Sequence, residues 1–187
     1  MTELDGSTHE INIPSGSQTG LKLNTPFTLL AGEETSKTID FDLRTSLVLT
    51  GSGKYELRPT MRLVDNDLVG SITGTVDPAL ISSPILCSDP DPDTYNAIYV
   101  FEGFDVVPDD IDNRNPNPIT SANVVWNSDL AEYVFEVGFL EAGDYTIALT
   151  CQADLDDPDS DDAIIFVSSE NATVVATSSS TSDLISR

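Results

Sequence analysis

The sequence predicts an all-β protein of two adjoining antiparallel β-sandwiches, with too few strands in the first unit to complete it. Gly, Pro, Asn, Asp and Ser recur about every 8 to 12 residues, as turns do in a sandwich. Apolar and polar residues alternate between these turns, which is the period of half-buried strands. No segment of helical length carries apolar residues at the 3.6-residue period of an amphipathic helix.

The first unit is predicted to span residues 1–66 and contains about five candidate strands. Ile39, Phe41 and Leu43 alternate with polar neighbours, as expected for a strand with one buried face. A sheet of so few strands leaves an edge bare, so another chain could supply strands by β-strand addition. The candidate strands are HEINIP (9–14), LKLNTPFTLL (21–30), SKTIDFDL (36–43) and two strands joined at Gly-Ser-Gly within 45–64.

The second unit is predicted to span residues 67–176, after the short link DNDLVG (65–70). A Pro-, Asn- and Asp-rich loop is expected at 104–123, and a mobile low-complexity tail at 177–187. The predicted strands are LVGSITGTVD (68–77), NAIYVFEG (96–103), NVVWN (123–127), two strands around Leu-Glu-Ala-Gly within 131–151, and a last pair, DAIIFV (162–167) and NATVVAT (171–177).

Charge divides the chain at the same place. The formal net charge is −24. Residues 1–66 carry nine acidic and six basic side chains (6 − 9 = −3), whereas residues 67–187 carry 23 acidic and two basic ones (2 − 23 = −21). This acidity excludes nucleic acid as a partner, because phosphates need a basic surface. No signal peptide is visible, and no apolar run of about 18 residues predicts a membrane span.

The segments GSITGTV (70–76) and YVFEVGFLEAGDYTIALT (133–150) resemble the carboxypeptidase-regulatory-like domain, a transthyretin-like (prealbumin-like) β-sandwich. The alternation of Tyr133, Phe135 and Val137 places them on one face of a strand. Gly143 is expected to form a hairpin turn before a return strand. The residues that match the family's pattern are Tyr133, Phe135, Leu140, Gly143, Tyr145 and Thr146.

Residues 10–64 resemble the C-terminal half of a second family, a domain of unknown function in bacterial and archaeal extracytoplasmic proteins, often lipoproteins. The resemblance implies an extracytoplasmic location (cell surface, periplasm or secreted) and no reaction. The family's early strands are absent, so either the chain was shortened or another chain supplies them. The matching residues are Pro14, Ser15, Gly16, Gly20, Lys22, Asp40, Phe41, Asp42, Ser46, Gly53, Lys54, Tyr55 and Pro59.

Two cysteines, Cys87 and Cys151, each stand beside a β-like run and before an Asp-rich turn. With His9 as the single histidine, they are too few for a structural zinc site. A disulfide that ties the two acidic turns together is the favoured interpretation. Two buried free thiols are the alternative.

The aspartates after these cysteines predict a calcium site, because Ca²⁺ takes six to eight oxygen ligands. Neither run is an EF-hand, since the glycine and closing glutamate are missing. The alternative is a solvated acidic rim that prevents edge-to-edge aggregation. The predicted ligands are Asp89, Asp91, Asp93, Asp154, Asp156, Asp157, Asp159 and Asp161, and a less favoured third cluster is Asp109, Asp110, Asp112 and Asn113.

Taken together, the sequence predicts a non-enzymatic, extracytoplasmic structural or adhesive surface protein that assembles by strand addition into oligomers or filaments. The alternative is a calcium-dependent module that binds carbohydrate or protein. Trp126, Tyr95 and Phe104 could stack on glycans, although core or rim aromatics are the more common role. A carboxylate-pair hydrolase is disfavoured, because acids in polar turns do not acquire a raised pKa easily. No catalytic residue is predicted.

Overall fold

The computed structural model describes residues 1–2, 6–14, 27–29, 31–32, 34–82, 87 and 95–186. The chain divides into two compact units, Met1–Asp65 and Asn66–Arg187. Strands and turns dominate both, which confirms the all-β prediction. The predicted strand at 21–30 lies mostly outside the described residues. None of the described helices has the length and apolarity that crossing a bilayer requires.

The described residues of the first unit form two small sheets. One is ordered β1-β4-β3, with β1 parallel to β4, and the other is the antiparallel pair β2-β5. Cross-strand ion pairs join β2 to β5, Lys37 to Asp65 and Arg62 to Asp40. The elements are β1 (Ile11–Asn12), β2 (Lys37–Asp42), the helical turn α1 (Leu43–Ser46), β3 (Leu47–Leu49), β4 (Tyr55–Leu57) and β5 (Thr60–Asp65).

The prediction of two strands within 45–64 is wrong, since three form there. The Gly-Ser-Gly turn does join β3 to β4, and the Gly53 N–H closes it on the Thr50 carbonyl at 2.8 Å. Beyond β4 the Arg58 N–H still donates to the Ser46 carbonyl at 2.7 Å, and the ladder stops at Pro59, because proline has no N–H to donate. The chain then starts β5, which pairs with β2 to form the other sheet.

The second unit is a β-sandwich. Its front sheet is ordered β13-β6-β10-β9 and its back sheet β12-β11-β7-β8. The strands are β6 (Val69–Val76), β7 (Ala97–Glu102), β8 (Thr120–Asn123), β9 (Val125–Asn127), β10 (Glu132–Glu141), β11 (Gly143–Thr150), β12 (Phe166–Val174) and β13 (Ser179–Thr181), with a short helix α2 (Pro78–Ile81) after β6.

The main core of the second unit lies between these sheets. Tyr133, Phe135 and Val137 of β10 all point into it, as their alternation predicts. Ile72, Leu140 and Ile147 are wholly buried there. Other members of the core are Val76, Leu80, Ile81, Ile98, Val100, Val124, Tyr145, Leu149, Ala172, Val174 and Leu184.

The hairpin expected around Gly143 is wrong. β10 pairs with β6 and β9, whereas β11 pairs with β7 and β12, so the chain crosses from front sheet to back sheet at Ala142. Tyr145 sends its hydroxyl back to the Glu141 carbonyl at 2.8 Å and braces this corner. Alternation alone does not distinguish a hairpin from a corner, because both reverse the chain between two amphipathic strands.

The back sheet is covered on both faces. A second apolar cluster lies on its outer face, where Tyr99 and Phe101 of β7 pack with Ile111 and Ala153. These last two residues belong to the loops 103–119 and 152–165, which we call the covering loops. This second layer explains why β7 and β11 are buried along almost their whole length.

Two predictions in this region need correction. The loop expected at 104–123 ends earlier, because residues 120–123 form β8 and pair with β7. The last predicted pair is one strand, β12, which runs antiparallel to β11. Residues 162–165 belong instead to a covering loop, where Ile164 packs on the outer cluster.

The tail, which was predicted to be mobile, instead joins the front sheet, since β13 runs parallel to β6 and Leu184 is wholly buried. The Ser182 N–H donates to the Thr73 carbonyl at 2.9 Å. Gly74 makes this approach possible, because a Cβ there would lie 2.0 Å from the Ser182 carbonyl oxygen. The end of the chain is held by Asp77, which accepts hydrogen bonds from Ser186 and the Ala79 N–H, and these lower the pKa of its carboxyl.

We expect Leu184→Ala to lower the free energy of unfolding by about 2–5 kcal/mol, because it removes a buried leucine from the core. Ile185→Ala is the matched control, since Ile185 is 55% exposed. Urea unfolding followed by circular dichroism measures both. Equal stability of the two variants would mean that the tail does not dock.

Candidate metal centre

The first covering loop is fixed to the back sheet where it leaves β7. Asn171 of β12 accepts the Asp105 N–H at 3.0 Å and donates to the Asp105 carboxylate at 2.9 Å. Thr146 of β11 accepts the Val106 N–H at 3.1 Å. The loop therefore starts from a rigid base, although its sequence is rich in turn residues.

Asp156, in the second covering loop, joins the layers. It accepts the Tyr99 hydroxyl from the sheet below, and its other oxygen accepts the Ile111 N–H at 3.2 Å from the neighbouring loop. Both contacts are hydrogen bonds to an ionised group, which are stronger than neutral ones. They place the two covering loops side by side over the outer apolar cluster.

Asp110 belongs to the first covering loop, contacts the second, and is 1% exposed. Its Oδ2 accepts the Asp162 N–H at 2.5 Å, but no described group donates a hydrogen bond to its Oδ1. Burial raises the pKa of Asp110, and the charges of Asp112 and Asp109 act in the same direction, while the bond from Asp162 opposes them. A buried carboxylate oxygen without a donor is costly, and either protonation of the group or a bound cation relieves that cost.

Five aspartates converge at this point. Asp110, Asp156 and Asp162, the inner trio, each offer an oxygen within 4.8 Å of the others. Asp110, Asp112 and Asp161, the outer trio, meet the same limit. Ca²⁺ holds its oxygens at about 2.3–2.6 Å, so ligands on opposite sides of one ion are about 5 Å apart. The spacing of each trio therefore fits a single ion of this size.

A cation of the chain itself already touches the outer trio. The Arg114 Nη1 lies 2.6 Å from Asp161 Oδ2 and 3.2 Å from Asp112 Oδ2. The two trios share Asp110, and Arg114 pairs with the two other members of the outer one.

The predicted ligands are only partly brought together. Asp156 and Asp161 belong to the trios, whereas Asp154, Asp157 and Asp159 do not. Asp89, Asp91 and Asp93 lie outside the described residues, so their role stays a prediction.

The less favoured third cluster contributes more than was expected. Asp110 and Asp112 are members of the trios, and Asn113 donates a long hydrogen bond to the Pro158 carbonyl at 3.4 Å. Asp162 was not predicted as a ligand, because it lies outside the D-x-D-x-D spacing of Asp157, Asp159 and Asp161. The useful signal was the presence of two Asp-rich loops beside strands of one sheet.

The predicted disulfide is present between Cys87 and Cys151, with Cα atoms 5.4 Å apart and a sequence separation of 64 residues. Cys151 directly follows β11 and precedes the second covering loop. The bond therefore fixes one end of the loop that supplies Asp156, Asp161 and Asp162. Both sulfur atoms are buried with their residues.

The three aromatic residues predicted to stack on glycans do not share one surface. Tyr95 precedes β7 and Phe104 follows it, so the six-residue strand separates them by about 20 Å. Trp126 lies on β9 of the front sheet, where it packs edge-to-face on Tyr133 with ring centres 5.0 Å apart. Each is close to half exposed.

Comparison with known proteins bears on the first unit. Residues 2–59 match the family described as "Domain of unknown function (DUF4382)". This confirms the expected resemblance of the first unit to a family of unknown function. No curated protein matches the chain.

A solved structure from Pseudomonas aeruginosa, described only as that of a candidate carbohydrate-binding protein, is similar in part. It is 14% identical and has a TM-score of 0.35, and the match covers 65% of this chain and 90% of that one. A likeness of this size carries no functional argument.

Replacing Cys87 and Cys151 together by serine is expected to lower the free energy of unfolding of the second unit by about 4 kcal/mol. The reason is that a bond closing a loop of this length restricts the unfolded chain. Chemical unfolding of the native and double-variant chains measures the difference. Two alkylatable thiols in the denatured, unreduced native chain would contradict the bond itself.

Proposed function

We propose that the second unit is a calcium-dependent binding module within a non-enzymatic, extracytoplasmic surface protein. The observation that carries this is the Oδ1 of Asp110, which is buried and accepts no hydrogen bond from the described residues, at the meeting point of two aspartate loops. The calcium module, considered above as the alternative, is supported better by this geometry than strand-mediated assembly.

Charge repulsion supports a bound cation. Two unit charges about 4 Å apart interact by about 4 kcal/mol at an effective dielectric constant near 20. Five carboxylates meet here, and Arg114 pairs with two of them, Asp112 and Asp161. A divalent ion in the inner trio would offset this repulsion and give Asp110 Oδ1 its partner.

The ligand chemistry supports calcium. Every member of the trios offers hard carboxylate oxygen, and neither histidine nor thiolate joins them. Oxygen donors select Ca²⁺, Mg²⁺ or Mn²⁺ over zinc and copper. Among these, Ca²⁺ accepts the irregular geometry and bidentate carboxylates that loop residues provide, whereas Mg²⁺ demands a near-ideal octahedron.

The site would act by holding the covering loops in place. Asp110 and Asp112 come from one loop, and Asp156, Asp161 and Asp162 from the other. An ion shared between them would fix both loops over Tyr99 and Phe101. Val107 and Leu155, on the outside of these loops, are 78% and 58% exposed and would form part of a calcium-ordered contact surface for a glycan or protein.

Compartment and chemistry are consistent with this role. A buried disulfide favours an oxidising compartment, and extracellular modules often bind Ca²⁺ with modest affinity. We also propose that the protein is lipoprotein-like, as the family resemblance of the first unit implies. We propose further that the second unit is related to the carboxypeptidase-regulatory-like domain and that the chain self-associates by strand addition.

Calcium at about 100 times its dissociation constant is expected to stabilise the native chain by about 2.7 kcal/mol, which raises its melting temperature by several degrees over EDTA. In Asp110→Asn the calcium shift should vanish, while the melt in EDTA stays at or above that of the native chain because a buried charge is gone. Differential scanning calorimetry measures both.

Asp154→Asn is the matched control for this experiment. It removes one charge from the same loop but lies outside both trios, so its calcium shift should equal that of the native chain. A native melt that is identical in calcium and EDTA would overturn the proposed function. So would an Asp110→Asn variant that keeps the full shift.

A further inference from the structure

We propose that the outer trio, Asp110, Asp112 and Asp161, is a second calcium position that the Arg114 guanidinium closes. The inference rests on the proposed function, because it assumes that the inner trio takes Ca²⁺. The native chain would then bind one ion, and a chain without the charge of Arg114 would bind two.

The contacts of Arg114 put its charge where an ion would sit. Its Nη1 touches a carboxylate oxygen of both Asp112 and Asp161, at 3.2 and 2.6 Å. Those carboxylates lie within 4.8 Å of Asp110, whose Oδ1 is buried and receives no hydrogen bond from the described residues. The guanidinium therefore occupies the side of the trio that faces solvent.

The side chains of this position differ in exposure: the buried one forms its floor, and the exposed ones form its entrance from solvent. The Asp112 side chain is 4% exposed, whereas the Arg114 and Asp161 side chains are 66% and 68% exposed. The Arg114–Asp161 pair is exposed on both sides, whereas the Arg114–Asp112 contact reaches a buried carboxylate, so the guanidinium spans the position from its entrance to its floor.

The backbone around the trio does not depend on the guanidinium. Asn117 Oδ1 accepts the N–H groups of Asp112 and Asn113 at 3.3 and 3.0 Å. The Arg114 N–H donates to Asp112 Oδ1 at 2.8 Å. These bonds involve the main chain at position 114 and would remain when its side chain is changed, so Asp112 keeps its place.

The shared ligand explains why a single positive charge suits this position. Asp110 belongs to both trios, so an ion in the inner trio already draws on its carboxylate. The carboxylates of Asp112 and Asp161 then remain to be neutralised, and the Arg114 guanidinium pairs with both. Arg114 therefore fixes the stoichiometry at one ion.

Calcium titration of the full chain, by isothermal calorimetry and by equilibrium dialysis, tests this. We expect one ion for the native chain and for Arg114→Lys, which keeps the charge, and two for Arg114→Gln. Adding Asp161→Asn to Arg114→Gln should return the number to one, since Asp161 belongs to the outer trio alone.

One ion in both the native chain and Arg114→Gln would overturn the second position and leave the proposed function standing. Two ions in the native chain would show that Arg114 does not close the outer trio, and would also overturn the inference. No binding by either chain would overturn the proposed function itself, and the inference with it. Circular dichroism of each variant in EDTA establishes that the fold is kept.

Discussion

The burial of Asp110 is the constraint on which the second unit's outer layer depends. A carboxylate that is 1% exposed loses its hydration, and one hydrogen bond from the Asp162 N–H replaces only part of it. The other oxygen of Asp110 has no hydrogen-bond donor among the described residues, and it lies where the two covering loops meet. Whatever satisfies it also determines how firmly the loops are held, so the site and the local stability are one problem.

The need for such a layer originates in the back sheet. Tyr99 and Phe101 of β7 point away from the main core, and without a cover they would expose large aromatic surfaces. The strands of a third sheet would be held together by backbone hydrogen bonds, but irregular loops have no such ladder. They are held by side chains instead, by Asn171 and Thr146 at the start and by Asp156 in the middle. Acidic residues serve as anchors and, in the proposed function, also as ligands.

Local patterns predicted most strands, because a two-residue alternation needs only one buried face. They did not predict how strands are joined, since the corner at Ala142 and a hairpin have the same alternation. The tail escaped prediction for a different reason. Its serines and threonines show no apolar period, and β13 pairs through backbone bonds that Gly74 makes sterically possible from far away in sequence.

The metal centre shows the same limit more sharply. Spacing within one run indicated Asp157 and Asp159, which belong to neither trio, and gave less weight to Asp110, which is common to both. A ligand set assembled from two loops is specified by the sheet below them and by burial, neither of which a run of aspartates encodes. Acidity is therefore a poor guide in this chain, where residues 67–187 hold 23 acidic side chains. The informative residue is Asp110, whose Oδ1 is buried without a hydrogen-bond donor among the described residues, because burial without a partner is what a cation can relieve.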